Sequence, residues 1–445
     1  MVRPSAVFSL SLLAAMALVP STLAAEEPQP ITLPQALEMA ARQNPELLAA
    51  RERASAQAAR AASVGRSAWP RIAFSTGWSR SDNAALAFAQ RLNAGEFTQG
   101  DFALESLNDP AGLSHQTTVL GVEAPLDVFG KVRAQSAGQT AAARALEAGV
   151  SEAALELRLR VTEAYTRSAL AHRALAVTEA ARAGARAREA DLEARVSKGA
   201  ALTADLLRGR ARRRQREAEL AERRADLAGA LAALGRALGA PPGMRYRPQD
   251  EPTAPAPLDA ENDGWAAKGL RQRPGLEAAA RRVEAAGWAF RGERRSMLPD
   301  LAAYGQLQDD RNRISGGHHS TTVGVMLRWN AFDPARGKRL AAAEGDRRAA
   351  ELDLRAARDQ VRMEVETALH RAQASRDRYA AAAGGAEEGR EALRVVQERR
   401  QAGLATLTDE LETEAASLAA ELEEIRAAAE AAIADAVLRR AAGEP

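Results

Sequence analysis

Residues 131–200 read KVRAQSAGQTAAARALEAGVSEAALELRLRVTEAYTRSALAHRALAVTEAARAGARAREADLEARVSKGA. Proline is missing from this stretch and from everything between Pro125 and Pro241, although a proline would break a helix almost anywhere inside it. Apolar or small residues stand at Val150, Ala154, Leu157, Val161, Ala164, Ser168, Ala171 and Leu175. Steps of four and three alternate, which is the seam of a coiled coil and narrower than the stripe of a globular helix. A second seam runs through Leu220, Leu227, Leu231, Leu234 and Leu238. Between them, Ser197-Lys198-Gly199-Ala200 is the one strong break, with a glycine able to take the left-handed conformation that ends a helix. The spacing predicts a single helical hairpin over 131–238. Its first arm, Lys131 to Val196, would be roughly 100 Å long at about 1.5 Å per residue. No compact domain holds a helix of that length.

The pattern occurs twice. Arg42-Gln43-Asn44-Pro45-Glu46-Leu47 returns as Arg271-Gln272-Arg273-Pro274-Gly275-Leu276, and Ser67-Ala68-Trp69-Pro70 as Ser296-Met297-Leu298-Pro299, both displaced by 229 positions. Gly121-Val122 through Phe129 returns as Gly324-Val325 through Phe332, displaced by 203, and Gly199 returns as Gly403, displaced by 204. The chain therefore reads as a tandem duplication, with about 26 additional residues in the first copy between Pro70 and Gly121. The first copy, 25–240, would hold a shorter helix (about Leu33–Ser67), strands at about 71–80 and 117–127, and the hairpin 131–238. A proline-rich linker, 241–262, leads to the second copy, 263–445, with a helix at about Gly264–Ser296, strands at about 300–308 and 321–331, and a hairpin over 336–440. Thr32 before Leu33-Pro34 is a fair N-cap with proline in the first turn.

Each strand alternates. One face carries Ile72, Phe74, Thr76 and Trp78, then Leu120, Val122, Ala124 and Leu126, then Leu301, Ala303, Gly305 and Leu307, then Val323, Val325, Leu327 and Trp329. Thr322, Gly324, Arg328 and Asn330 make the other face polar. That length and dyad pattern is the one outer-membrane strands show, and rod-like helices supply no second layer to cover a soluble sheet. Four strands cannot close on themselves, and open edges are not tolerated in lipid. Several copies must therefore each donate four strands; two would make eight, three would make twelve.

Composition agrees with an exported, elongated protein. Arg3, an apolar run from Ala6 to Val19 and small residues at Thr22, Ala24 and Ala25 have the layout of a cleavable secretory signal over residues 1–24. None of the 445 residues is cysteine, so disulfides, thiolate metal sites and thiol catalysis are excluded. Beyond the signal no apolar run is long enough for a membrane helix. The 61 basic and 59 acidic residues are interleaved, as on solvated helices and unlike a nucleic-acid stripe. Aromatic residues are only 4%, and alanine fills the seams instead. The chain has no phosphate-cradling loop and no nucleophile elbow, and no cofactor or enzymatic activity is expected. His318-His319 lacks a third ligand and is expected to be a solvated loop tip without metal.

Taken together these features resemble the TolC family of outer-membrane efflux channels. The resemblance spans essentially the whole mature chain. It rests on Asn44-Pro45-Glu46-Leu47, on Ala124-Pro125-Leu126-Asp127-Val128-Phe129-Gly130, and on the two hairpin tips, where Gly199 is followed by Asp205 and Gly403 by Asp409. It implies a mainly α protein with a transmembrane β-barrel: a homotrimer with a twelve-stranded barrel in outer-membrane lipid and an α-helical tunnel across the periplasm. It also implies a passive duct for a tripartite efflux or type I secretion system, docked to a periplasmic adaptor and an inner-membrane pump. A periplasmic adaptor or a structural coiled coil is the alternative, but an adaptor has one hairpin between small β domains and a coiled coil needs no strands. By the same resemblance Asp205, Asp409 and Glu412 would form an acidic constriction at the periplasmic mouth. Arg195, Val196 and Ser197, with Gly199, and Ala402, Gly403 and Leu404 would be the adaptor-contacting tips. Arg400 stands where the family has a gate tyrosine and Ala405 where it has a gate arginine, so the family's locking contacts are not copied here. The residues from about Ser81 to Gln116, rich in Asn and Gly, are expected to form a cell-surface loop.

Overall fold

The computed structural model describes residues 28–241, 244–251, 253–255, 262–312 and 317–444. The expected signal, 1–24, lies outside the described residues, as do Pro242, Pro252 and Pro257 of the linker and Gly316 beside the paired histidines. In chain order the elements are β1 (Gln29–Ile31), α1 (Leu33–Gln43), α2 (Pro45–Arg66), β2 (Arg71–Ser81), α3 (Ala84–Asn93), a 3-10 turn Gln99–Phe102, α4 (Leu104–Asn108), β3 (Leu113–Leu126), α5 (Lys131–Ser197) and α6 (Thr203–Leu238). They continue with β4 (Tyr246–Pro248), α7 (Asn262–Gln272), α8 (Pro274–Arg295), β5 (Asp300–Arg311), β6 (His318–Arg328), α9 (Arg336–Gln401) and α10 (Leu407–Ala441).

The four long strands form one antiparallel sheet in the order β2-β3-β5-β6. Its register sets Ile72 opposite Val122, Val122 opposite Gly305 and Gly305 opposite Val323, with Phe74, Leu120 and Leu307 aligned one pleat further on. Directly opposed residues share a face, so the apolar residues of all four strands lie together. Nothing covers that face: Ile72, Phe74, Trp78, Val323 and Val325 are each at least two-thirds exposed. Three strand positions differ from the sequence reading. β3 begins at Leu113 rather than 117, β5 runs on to Arg311 rather than 308, and β6 runs 318–328 rather than 321–331. Apolar alternation gives no signal at these outer ends, where cross-strand pairs such as Asp310 with His318 extend the ladder. At the other end Trp329 leaves the strand to donate its Nε1–H to the Met297 carbonyl at 3.0 Å.

The helices repeat the order of the sheet. α2 packs on α5, α5 on α8, and α8 on α9. Further along, α6 returns against α5 and α10 against both α9 and α5. The packing is carried by two cores built from positions 204 apart. Leu157, Val161, Tyr165, Leu234 and Leu238 fill one with Leu47; Val361, Val365, Leu369 and Leu438 fill the other with Leu276. Full burial of such a side chain contributes about 1.5–3 kcal/mol.

Both cores end at a joint of the same design. The Asn44 side chain caps α2 by accepting from Glu46 N–H at 2.9 Å, and its Nδ2 donates to the Ala237 carbonyl at the end of α6. In the second copy Arg273 occupies the break before α8 and donates to the Ala441 carbonyl at the end of α10, at 3.3 Å. Arg273 also reaches Glu152 at 3.0 Å and Glu364 at 2.8 Å. Gly239, with φ 72°, closes the first joint; a Cβ there would lie 2.8 Å from the Asn44 Cα, so both conformation and space demand glycine. The linker is not a free tether. β4 pairs in parallel with β1, and Asp250 accepts a 2.6 Å hydrogen bond from the Tyr165 hydroxyl. Burial, then this contact with Asp250, pushes the Tyr165 hydroxyl up to about 12.

The stretch from Ser81 to Gln116, expected as an irregular loop, contains α3, the 3-10 turn and α4, and contributes residues to β2 and β3. Asn83 caps α3 by accepting from Leu86 N–H at 3.1 Å. Phe88, Phe97 and Phe102 pack edge to face with centroids 4.7–6.5 Å apart. Such a cluster is a small core, which loop-like composition had concealed.

Candidate functional site

The two hairpin tips lie at the ends of α5 and α9, farthest along the chain from the sheet. α5 stops because Gly199 takes φ 71°, with Ala200 N–H returning to the Arg195 carbonyl at 2.8 Å. α9 stops the same way at Gly403, φ 74°, with Leu404 N–H on the Arg399 carbonyl at 2.8 Å. A Cβ on either glycine would meet nothing, so only conformation requires them. Arg195 and Ser197 are the exposed last turn of α5, held to Asp191 and to the Ala194 carbonyl, while Val196 packs on the small tip core of Leu192, Leu206 and Leu407. Ala402 caps α9, and Leu404 projects into solvent at 77% exposure, as does Leu202 at 69% across the other tip.

The three candidate gate carboxylates do not form one cluster within the chain. Asp205 begins α6 and sits 3.3 Å from Arg208. Thr406 caps α10 and Asp409 completes the capping box: the Asp409 carboxylate accepts from Thr406 N–H at 2.8 Å and from the Thr406 hydroxyl at 2.7 Å, and these bonds hold it below the usual aspartate range. Glu412 is exposed to solvent.

A different set of charges joins the two hairpins. Glu410 on α10 is buried, bonded to Arg400 on α9 and 3.5 Å from Arg188 on α5. Arg188 also binds Glu414, one turn further along α10. Arg212 on α6 donates to the Leu411 carbonyl at 3.4 Å; burial and then neighbouring Arg216 pull its pKa down, against Glu414 and Glu219. All four long helices therefore meet in one ionic patch just above the tips. Arg400, where the resemblance places a tyrosine, pairs with Glu410, and Ala405 lies in the turn between α9 and α10. The family resemblance points to Asp409 and Glu412 and gives no indication of Glu410 and Glu414. The missed signal was their placement: Leu407, Glu410, Glu414 and Ser417 step by three, four and three, which puts two charges inside the coiled-coil seam.

The family model for outer membrane efflux proteins matches residues 36–240 and 265–444, which is most of the chain. The chain belongs to the outer membrane efflux protein family. It is an outer-membrane channel for efflux, and the adaptor and coiled-coil alternatives are not favoured. Its fold is that of solved channels. It superposes on a membrane protein from Pseudomonas aeruginosa with TM-score 0.78 and 21% identity, covering 92% of this chain and 93% of that one. VceC, an outer membrane protein of Vibrio cholerae, aligns with TM-score 0.74 and 19% identity over 93% of this chain and 96% of that one. The CmeC outer membrane channel of Campylobacter jejuni aligns with TM-score 0.77 and 17% identity over 92% and 85%. No curated protein matches the sequence at a significant level.

For an efflux protein the absence of a long apolar helix among the described residues matters little, because the lipid-facing element is the sheet. The family is one of transport proteins rather than enzymes. The adjacent histidines are placed on opposite faces of β6: His318 opposite Asp310, and His319 with its Nδ1 2.9 Å from Asp309.

Proposed function

We propose that three copies close head to tail into a twelve-stranded barrel continued by a helical tunnel, forming a passive exit duct. The observation that carries this reading is the coincidence of two open layers. The sheet is open at β2 and β6, and the helical layer is open at α2 and α9, the helices attached to those same strands. Both helices offer exposed seams of small or apolar residues at coiled-coil spacing: Ser55, Ala58 and Ala62 on α2, and Gly345, Ala349, Leu352 and Ala356 on α9. A groove of about 500 Å³ between α2 and α5 stands ready for the neighbouring copy's α9. Three copies are favoured over two because side chains fill an eight-stranded barrel and leave no duct. Fractionation should place the mature chain in the outer membrane, and light scattering in mild detergent should give three times the chain mass. A soluble periplasmic monomer would end this reading.

The tips would dock a periplasmic adaptor linked to an inner-membrane pump, with exposed Leu202 and Leu404 beside the two glycine turns as contact points. Energy would come from the pump, since the duct contains no chemistry of its own. Residues 208–216 carry six arginines, while Asp409, Glu410, Glu412 and Glu414 make the second tip acidic. In a ring of three, acidic and basic hairpins then alternate, and attraction between them closes the mouth. Asp205, Asp409 and Glu412 would line that mouth. In planar bilayers the wild-type channel should favour cations and be blocked by multivalent ones. Asp409→Ala with Glu412→Ala should weaken both effects; unchanged selectivity and block would show that these carboxylates face elsewhere.

A further inference from the structure

The segment 82–112 does not stand up from the outer end of the sheet; it folds back across it. Three contacts of the segment define the side, and His115 extends the last of them. The Gln90 side chain, buried on α3, donates to the Ser79 hydroxyl at 3.5 Å. The backbone of Gly95 lies against His318, whose Cβ would be 3.6 Å from a Cβ added there. Asn312 donates its Nδ2–H to Glu96 at 3.2 Å, and its Oδ1 accepts from His115 Nδ1 at 2.8 Å. His115 Nε2 in turn sits 2.9 Å from Asp310, which also takes hydrogen bonds from Thr117 and Gln308.

By the strand register Ser79 opposes His115, and Thr117 opposes Asp310, which opposes His318. These residues belong to the polar face, opposite the one carrying Ile72, Phe74 and Leu120. A barrel in lipid turns its apolar face outward. The folded segment, anchored from β2 across to β6, therefore lies on the inside. The three phenylalanines and the Arg91–Asp101 pair make it a compact body rather than a loose strand.

The geometry points to an outer gate: in each copy residues 84–108 form an inward-folded cap that narrows the extracellular mouth, latched by Gln90–Ser79 and by the His115–Asn312–Glu96 bridge. The irregular residues 82–83 and 109–112 are its hinges. The inference rests on the barrel reading above, which makes the polar face the lumen. It adds a second constriction at the end opposite the helix tips, one that cargo must displace to leave.

The chain has no cysteine, so a pair can be introduced cleanly. Ser79→Cys with Gln90→Cys should cross-link on oxidation in intact outer membranes. Single-channel conductance is then read in planar bilayers, in a background where Glu410→Ala and Glu414→Ala have opened the periplasmic end. Replacing 84–108 by a short glycine turn should raise conductance at least about twofold, because the narrowest section limits ion flow. The oxidised pair should remain at the low level and gain upward excursions on reduction. Should the deletion fail to assemble, the oxidised and reduced pair alone decide. Channels whose conductance ignores both the deletion and the cross-link would overturn the outer gate alone. A parent chain that forms no channel would overturn the duct reading and this one with it.

Discussion

Replacing Glu410 and Glu414 together with alanine is expected to convert a mostly closed channel into a mostly open one. Glu410 is buried between Arg400 and Arg188, and Glu414 holds the same Arg188 from the next turn. Removing the carboxylates leaves guanidinium groups in a poorly solvated seam, and breaking a buried pair from one side costs about 3–5 kcal/mol. The cost falls only on the state in which the hairpins are in contact, since a separated tip is hydrated. A shift of about 3 kcal/mol changes the open-to-closed ratio by roughly a hundredfold. Open probability in planar bilayers measures this directly. Exchanging charges, Arg188→Glu with Glu414→Arg, should recover part of the closure that either single change loses, the coupling expected of residues in contact. Added salt should open the wild type only weakly, because buried pairs are poorly screened. Unaltered gating in the double alanine variant would show that the patch staples the protomer without controlling the pore.

Arg273→Ala is expected to be the most destabilising single change in the tunnel. This side chain, 7% exposed, gathers α5, α9 and the end of α10 through Glu152, Glu364 and the Ala441 carbonyl. Its removal leaves two carboxylates facing each other and an orphaned helix terminus, a loss of about 3–5 kcal/mol by the same rule for broken buried pairs. Arg273→Lys should not rescue it, since one ammonium cannot reproduce a planar group that divides its donors among three acceptors. The loss is read as a lowered unfolding temperature of the detergent-solubilised protein. Its pH dependence gives a second readout. Burial alone would raise the Glu364 pKa, but hydrogen bonds from Gln360 and Arg273 outweigh it and hold the carboxyl below the usual glutamate range. A depressed carboxylate contributes stability above its unfolded pKa and loses it as pH falls through the folded value. The wild type should therefore weaken on acidification below about pH 4.5. The variant, having lost Arg273, should show less of that fall. An unfolding temperature within a degree or two of wild type would mean that Arg440, which also reaches Glu152 and Glu364, carries the joint.

Much of this protein is legible without coordinates because its physics is periodic. The four-three seams and the absence of proline dictate α5 and α6, the duplication carries the same hairpin to α9 and α10, and Gly199 and Gly403 mark the turns. The two-residue alternation separates an apolar sheet face from a polar one, and the displaced motifs place Asn44-Pro45 and Arg273-Pro274 at equivalent breaks. Each of these is a local property, decided within a few residues of the position concerned. Partner choice is not local. Glu410 and Glu414 stand one and two positions beyond Asp409 and Glu412 along α10, yet the first pair is committed to Arg188, more than 200 positions away, while Asp409 bonds Thr406 at its own helix start and Glu412 is exposed. Likewise the content of 81–116 suggested a loop, but only the contacts of Gln90 and Glu96 reveal that it turns toward the polar face. The parallel pairing of β1 with β4 carried no signal, since three residues have no periodicity to read. Periodicity states which face of an element is apolar; which faces meet is settled by long-range packing, where one buried charge finds another.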